Sequence, residues 1–525
     1  MEIKPHIAKL AEALSEQKIK WAFGVTGGGA SLELITALNE KGIKYYPVAH
    51  EAAAVMMAGA CSKDGITRAA AITIKGPGFA NALPGILSNN YEARPAITIS
   101  EAYSPATPAH KTHKRLDHFA ASVVFVKAFS AVDDSGKNLK SLLDIAQKET
   151  PGPVHMELYA EAASDGVREN KITATKFSGE EILKEISAVI KNSQKPVLIL
   201  GSLALRRLDG TDWASFGVPV FTTAAAKGAI DENSAYSGGV ISGEVKELSP
   251  ENLIAHADII FSVGLRNTEV VNAVPYKSFH INIDSIGGFD GGFDPKINFL
   301  IASENLAKII SELKPLFSGK SSGKDLIAEQ NANLEKELFS ADWMPAPVFR
   351  QIQKALPESM LVLDTGFFCT VGETVWKAKS KDNFLGSSNG RFMGTAIPTA
   401  LGAAISSPNK DIIAVSGDGG IRDYFMEIKL AVENNLPIIF VLMSDGAYGS
   451  IAASGRAKGY YEKAFQINNP GWWEAAKAIG CPALKIKSSA ELKSALEDRQ
   501  KTKGPMFLEM SFNPERYAKM AKKLR

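Results

Sequence analysis

Two aspartates in the last third of the chain stand where an ion could be held. Asp418 lies in Ser-Gly-Asp-Gly-Gly (416–420), directly after the apolar run DIIAVSG (411–417). Asp445 follows the next apolar run, LPIIFVLM (436–443). Both runs read as buried parallel strands, and open α/β sheets bind ligands at the carboxyl ends of such strands. Gly417, Gly419 and Gly420 let the backbone approach an anion closely, and the helix-period sequence that follows points its first N–H groups toward it. Two oxygen ligands at adjoining strand ends, beside an anion site, suit an octahedral Mg²⁺ that bridges to a diphosphate. A Gly-Asp-Gly alone also marks ordinary turns; the conjunction carries the reading.

Other residues need weighing one at a time. Glu51 opens the helical pattern EAAAVMMAGACSK, where a carboxylate by itself reads as a charge favoured at a helix start. Lys75 ends the strand-like run AAAITIK, and His110, His113 and His118 lie in TPAHKTHKRLDHF. These histidines suit either backbone hydrogen bonding in a loop or proton transfer. The run SGKSSGK (318–324) fails as a phosphate loop: its glycines are one residue too close, Asp325 follows Lys324, and no strand precedes it. It reads as flexible linker.

The elements that must position these groups are βα units. AAAITI (69–74), RPAITIS (94–100), PVLILG (196–201) and ADIIFSVG (257–264) each precede helix-period sequence, as the runs before Asp418 and Asp445 do. An internal repeat organises them. GPVHMEL (152–158) recurs as GPMFLEM (504–510), and AITIKGPG (71–78) matches IIAVSGDG (412–419). The sequence therefore predicts an α/β protein of three parallel-sheet domains, the first and third being related. Their expected bounds are 1–165, 183–320 and 340–525, with polar linkers near 164–182 and 316–345.

Bulk properties exclude several classes. At 525 residues the chain exceeds a single core. With 59 basic and 57 acidic residues the net charge is only +2, which argues against nucleic acid or a membrane surface as main partner. The lysines near the C-terminus read as a solvated helix end. Cys61, Cys369 and Cys481 form neither a disulfide framework nor a zinc pattern, and no apolar segment is long enough for a signal core or a membrane span. A cytoplasmic protein is expected.

On these residues a family resemblance rests. The Gly417-Asp418-Gly419 motif, followed one βα unit later by Ser444-Asp445, resembles the thiamine diphosphate motif of the acetolactate synthase, pyruvate decarboxylase and benzoylformate decarboxylase superfamily, which usually has Asn-Asn at the second place. YYPVAHEAAAVMMAGACSK resembles the segment around that family's activating glutamate. WAFGVTGGGASLELITAL (21–38) and KGPGFANALPGI (75–86) resemble its cofactor-facing loops, GRFMGTAIPTALGAA its segment with an apolar residue that bends the cofactor, and GVPVFTTAAAKGAID its middle domain.

The resemblance implies that Asp418, Asp445 and the main-chain carbonyl of Ala447 hold Mg²⁺. It implies that Thr26, Gly27, Asn81, Thr365, Gly366, Met393, Gly417, Gly419, Gly420 and Tyr448 bind thiamine diphosphate. It casts Glu51 as the catalytic carboxyl beside the cofactor's pyrimidine ring. In the family the glutamate and the Gly-Asp-Gly motif come from different subunits, so a homodimer or homotetramer is implied.

The substrate is expected to be a 2-oxo acid or related carbonyl compound, with Gly28, Lys75, His110 and His113 as candidate contacts. Gly28 resembles the acetolactate synthase branch; the pyruvate decarboxylase branch has an acidic residue there. Decarboxylation or carboligation of a 2-oxo acid is the leading reading. A 2-hydroxyacyl-CoA lyase or oxalyl-CoA decarboxylase is the alternative within the same chemistry, and a non-catalytic nucleotide- or partner-binding relative is the alternative outside it. FAD or ADP in the central domain stays open, with Arg266 and Thr222 as no more than candidate contacts for a flavin.

Overall fold

The computed structural model describes residues 3–133, 135–161, 166–170, 176–287 and 292–524. The apolar runs become strands in three sheets, as their β-branched composition and short length require. In spatial order the first sheet is Lys44–Pro47, Trp21–Gly24, Ala69–Thr73, Ile97–Glu101, Val154–Leu158, Ala128–Ala131 and Arg168–Glu169. Only the last of these pairs antiparallel. The third sheet is Phe384–Gly386, Met360–Leu363, Ile412–Ser416, Ile438–Ser444, Met506–Ser511 and Ala483–Ile486, all parallel.

Numbered by chain order within each sheet, both outer sheets run 2-1-3-4-6-5, the first with one added edge strand. The repeated sequences fall on equivalent strands: GPVHMEL on Val154–Leu158 and GPMFLEM on Met506–Ser511. The middle sheet differs. It runs Ser237–Ile241, Val220–Thr223, Pro196–Leu200, Ile259–Val263, Phe279–Asp284 and Ile297–Leu300, an order of 3-2-1-4-5-6. The fold is thus α/β, with three parallel-dominated sheets.

One helix joins the first unit to the third. Every residue of Glu51–Cys61 is buried, and it packs on Pro77–Tyr91 and on Ala396–Ser406 of the third unit. Small residues make this approach close enough. A Cβ on Gly85 would lie 2.4 Å from the Ala52 carbonyl oxygen, and one on Gly402 would lie 2.3 Å from that of Met57.

The two polar stretches fare differently. Part of the first, 164–165 and 171–175, lies outside the described residues. In the second, residues 318–323 of SGKSSGK lie outside helix and strand, but the polar stretch goes on as a helix of 15 residues, Lys324–Leu338. Its sequence is rich in strong helix formers, Gly323 turns into it at φ 59°, and Ile327 and Leu338 are buried. Lys523, near the C-terminus, is paired with Glu247 and Glu337, so the basic tail is not simply a solvated end. All three cysteines are free and buried. Among the described residues no helix is long and apolar enough to cross a membrane.

Candidate active site

The strand Ile412–Ser416 delivers Asp418 to the carboxyl edge of the third sheet, where it is 2% exposed. Its Oδ2 accepts the backbone N–H of Asp445 at 2.7 Å and of Gly446 at 2.9 Å, at the end of the adjoining strand Ile438–Ser444. Asn469 Nδ2 donates to its Oδ1. Asp445 in turn accepts the Ala447 N–H at 3.3 Å, so Asp418, Asp445 and Ala447 share one hydrogen-bonded turn. Burial, and then the charge of Asp418, push the Asp445 carboxyl up to about 7. Two acids crowded together at a strand edge favour a cation between them.

Glycines shape the wall beside this pair. A Cβ on Gly419 would meet the Met393 sulfur at 2.7 Å and the Tyr448 ring at 2.8 Å, and one on Gly449 would meet Asp445 Oδ2 at 2.2 Å. Gly417 faces Phe368, and a Cβ on Gly420 would lie 2.1 Å from Asp364 Oδ2. Asp364, at the end of Met360–Leu363 and 1% exposed, accepts the N–H of Thr365 at 2.8 Å and of Gly394 at 2.9 Å. It thereby fixes both the Thr365–Gly366 turn and the residue after Met393. Burial pushes its carboxyl up to about 7. Met393 is 39% exposed, with its sulfur over the glycine motif.

The first unit carries a second cluster. His50 caps the helix Glu51–Cys61, its Nδ1 accepting the Ala52 N–H at 3.1 Å. Glu51, 8% exposed, accepts a hydrogen bond from Asn81 Nδ2 at 3.2 Å on Oε2, while Oε1 faces Gly78. Gly27 packs on Ile74, Thr26 Oγ1 lies 3.2 Å from the Tyr45 hydroxyl, and a Cβ on Gly28 would meet nothing within 4 Å. Among the described residues no hydrogen bond joins Glu51 to Asp418 or Asp445. One tie between the two units is Glu427, whose carboxylate accepts the N–H groups of Ala49 and His50.

At the carboxyl edge of the first sheet lies a cavity of about 280 Å³ whose walls include Lys75, Tyr103, Lys114, Arg115, His118 and Glu157. Lys75 is ion-paired with Glu101 and sits 5.1 Å from the Tyr103 ring centre. His110 and His113 are exposed on the loop above and are not among the walls. Two buried histidines lie close by, His118, with Nδ1 3.3 Å from Glu157, and His155, and Phe79 lies between their rings at 4.3 and 4.4 Å.

Sequence reasoning missed Asp364, Glu427 and Asn469. Asp364 had a signal, an aspartate ending a buried strand before Thr-Gly, as Asp418 ends one before Gly-Gly. Glu427 and Asn469 had none, because only the fold brings them to their partners.

With the geometry in place, comparison with known families is decisive. Residues 7–121 match the N-terminal TPP binding domain of thiamine pyrophosphate enzymes, 183–287 their central domain, and 364–510 their C-terminal TPP binding domain. The chain belongs to the thiamine pyrophosphate enzymes. Similar members include a probable acetolactate synthase large subunit of Methanococcus aeolicus, 23% identical over 96% of this chain and 91% of the relative. An acetolactate synthase of Bacillus subtilis (strain 168) is 23% identical over 95% and 92%, and the acetolactate synthase isozyme 3 large subunit of Escherichia coli (strain K12) 24% over 95% and 92%.

The residues present fit the cofactor of this family, thiamine diphosphate (thiamine pyrophosphate). Gly419 lets Met393 and Tyr448 close against the backbone, and Gly449 does the same for Asp445, beside a pair of acids able to hold a divalent cation. Among the described residues no three His, Cys, Asp or Glu side chains converge. Two carboxylates completed by a carbonyl oxygen form a donor set for a hard cation such as Mg²⁺.

Proposed function

We propose that this enzyme makes or breaks a carbon–carbon bond beside the carbonyl of a 2-oxo acid, in the manner of the acetolactate synthases it resembles. The observation that carries the site assignment is the Asp418–Asp445 pair at adjoining strand ends, with Met393 and Tyr448 packed on the glycine motif beside it. In this reading Asp418, Asp445 and the Ala447 carbonyl hold Mg²⁺, and the backbone of Gly417, Gly419 and Gly420 lies along the diphosphate. Thr26, Gly27, Asn81, Thr365, Gly366, Met393 and Tyr448 line the rest of the cofactor. When bound, thiamine diphosphate supplies the electron sink that no side chain provides.

Glu51 holds and returns a proton through Oε1, the oxygen that Asn81 leaves free. Met393, fixed through Gly394 by Asp364, presents an apolar surface that orients the cofactor and excludes water. Lys75 meets the substrate as one half of an ion pair with Glu101, so its charge is partly offset before substrate arrives. Gly28, with no side chain and open space around it, leaves room for the substrate's own substituent. The candidate roles of His110 and His113 gain no support from their exposed positions.

The chain functions as a homodimer or a tetramer, with Glu51 of one copy facing Asp418 of another. Supporting this, Met426 and Ile451 of the third unit are large apolar side chains left 54% and 62% exposed.

The test is a screen of 2-oxo acids with the purified protein, thiamine diphosphate and Mg²⁺, following CO₂ and ligated products. Turnover of at least one, lost in Asp418→Ala, is expected. Turnover of none, or an Asp418→Ala variant as active as wild type, refutes the reading.

A further inference from the structure

The middle sheet has the strand order of a dinucleotide-binding fold, so its ligand crevice can be located by topology alone. The chain leaves Pro196–Leu200 toward one edge and later continues from Ile259–Val263 toward the other. Ligands of such sheets bind beyond the carboxyl ends of the two strands where this reversal occurs. The loops concerned begin at Gly201-Ser202 and at Gly264-Leu265-Arg266.

That crevice is already filled. The loops touch: a Cβ on Gly201 would lie 1.8 Å from the Gly264 carbonyl oxygen. The carboxylate of Glu269, 2% exposed, accepts the Ser202 N–H at 2.8 Å, the Ser202 hydroxyl, and the Thr223 hydroxyl at 2.8 Å. A phosphate entering here would find its donors taken by a fixed anion.

The cation that would greet a diphosphate is taken as well. Arg266, also 2% exposed, donates from Nε and Nη2 to Asp284 at 3.0 and 2.8 Å. Further bonds reach Glu149 at 3.2 Å and the Thr150 hydroxyl at 3.0 Å, both from the first unit. Arg206 pairs with the same Glu149, and Arg207 approaches it at 3.5 Å. Burial alone would raise Glu149, yet Arg206 and Arg266 hold its carboxyl down to about 2. Thr222, the other candidate contact, is buried in its strand; Thr223 is the residue that reaches Glu269. Beside Ser202 and Arg206 a cavity of about 90 Å³ remains, well short of the roughly 300–1,000 Å³ of small-molecule sites.

We propose that this crevice is closed to FAD and ADP and is occupied by the chain's own carboxylates, with Glu149 as a built-in anionic ligand that latches the first unit onto the middle one. The inference goes beyond the proposed reaction and does not depend on which 2-oxo acid is used. FAD and ADP do not fit the residues present, so neither has a part in the mechanism above.

The experiment has two arms. The full-length protein, loaded with thiamine diphosphate and Mg²⁺, is titrated calorimetrically with FAD and with ADP, and its visible absorbance is recorded as purified. No saturable heat and no flavin band are expected; a saturable site for either, or co-purifying flavin, overturns the closed crevice. In the second arm, amide hydrogen exchange at residues 201–205 and 264–269 is compared among wild type, Glu149→Ala and Glu149→Gln. Exchange should quicken at least about tenfold in Glu149→Ala, as loss of a buried charged hydrogen bond implies, and by less in Glu149→Gln. Should Glu149→Ala fail to fold, Glu149→Gln decides. Unchanged exchange in the folded variants overturns the latch.

Discussion

The carboxylate of Glu427 accepts the backbone N–H of His50 at 2.9 Å and of Ala49 at 3.1 Å, and so steadies the turn that leads into the helix of Glu51. Glu427 and His50 lie 377 residues apart in the chain. Glu427 is 1% exposed, and burial pushes its carboxyl up from 4.5 to about 7 despite those N–H groups.

A pH dependence of stability follows. Between about 4.5 and about 7 the folded chain holds a proton on Glu427 that the unfolded chain releases. This group's contribution to stability therefore falls as pH rises through that window, by up to about 1.4 kcal/mol per unit. Glu427→Gln keeps an acceptor oxygen and removes the titration. Urea midpoints at pH 5 and pH 8 should show the variant gaining on wild type at the higher pH; parallel behaviour of the two proteins would show that Glu427 is not held neutral by its burial.

Gly402 should tolerate no side chain. A Cβ there would fall 2.3 Å from the Met57 carbonyl oxygen and 2.9 Å from the Ala60 Cβ, in the contact between helices Ala396–Ser406 and Glu51–Cys61. Gly402→Ala should cost about 1–3 kcal/mol, as overpacking generally does. Chemical denaturation measures this directly, and a variant as stable as wild type would mean that the helices can separate freely.

Much of this architecture was legible in the sequence. The strands were, because buried parallel strands are short continuous apolar runs, and the duplication was, because GPVHMEL and GPMFLEM fall on equivalent strands of sheets with the same order. Asp418 and Glu51 stood out because each sits at a strand or helix end inside a recognisable segment. Glu427 was hidden, since DYFMEIKLAVENN offers no local mark of a residue that caps a turn hundreds of positions away. Asn469 was hidden for the same reason. The helix Lys324–Leu338 was masked by the Gly/Ser run before it. Nor does composition reveal that a crevice is already filled, because Glu149 and Glu269 look like any other acids until the fold closes around them.

Asp445 stands where the family usually has asparagine, and its carboxyl, pushed up to about 7, must lose its proton before it can bind a metal. Mg²⁺ affinity of wild type should weaken by up to about tenfold per unit as pH falls below about 7. Asp445→Asn should stay active, require more Mg²⁺ at pH 8, and show a flatter pH dependence of that requirement. Rate measured against Mg²⁺ at pH 6 and pH 8 separates the cases. Equal steepness in both proteins would place the titrating proton elsewhere, and collapse at saturating Mg²⁺ would give Asp445 a catalytic role of its own.

The central claim is that Glu51 activates bound thiamine diphosphate, and the rate at which the bound cofactor exchanges its C2 proton with D₂O tests it most directly. Glu51→Gln keeps the shape of the side chain and an oxygen for Asn81, so folding and cofactor binding should persist. The exchange rate, followed by rapid-quench NMR with cofactor and Mg²⁺ saturating, should fall by about a hundredfold or more, the usual scale of a lost acid–base group. An exchange rate equal to that of wild type would contradict the account and remove Glu51 from the chemistry.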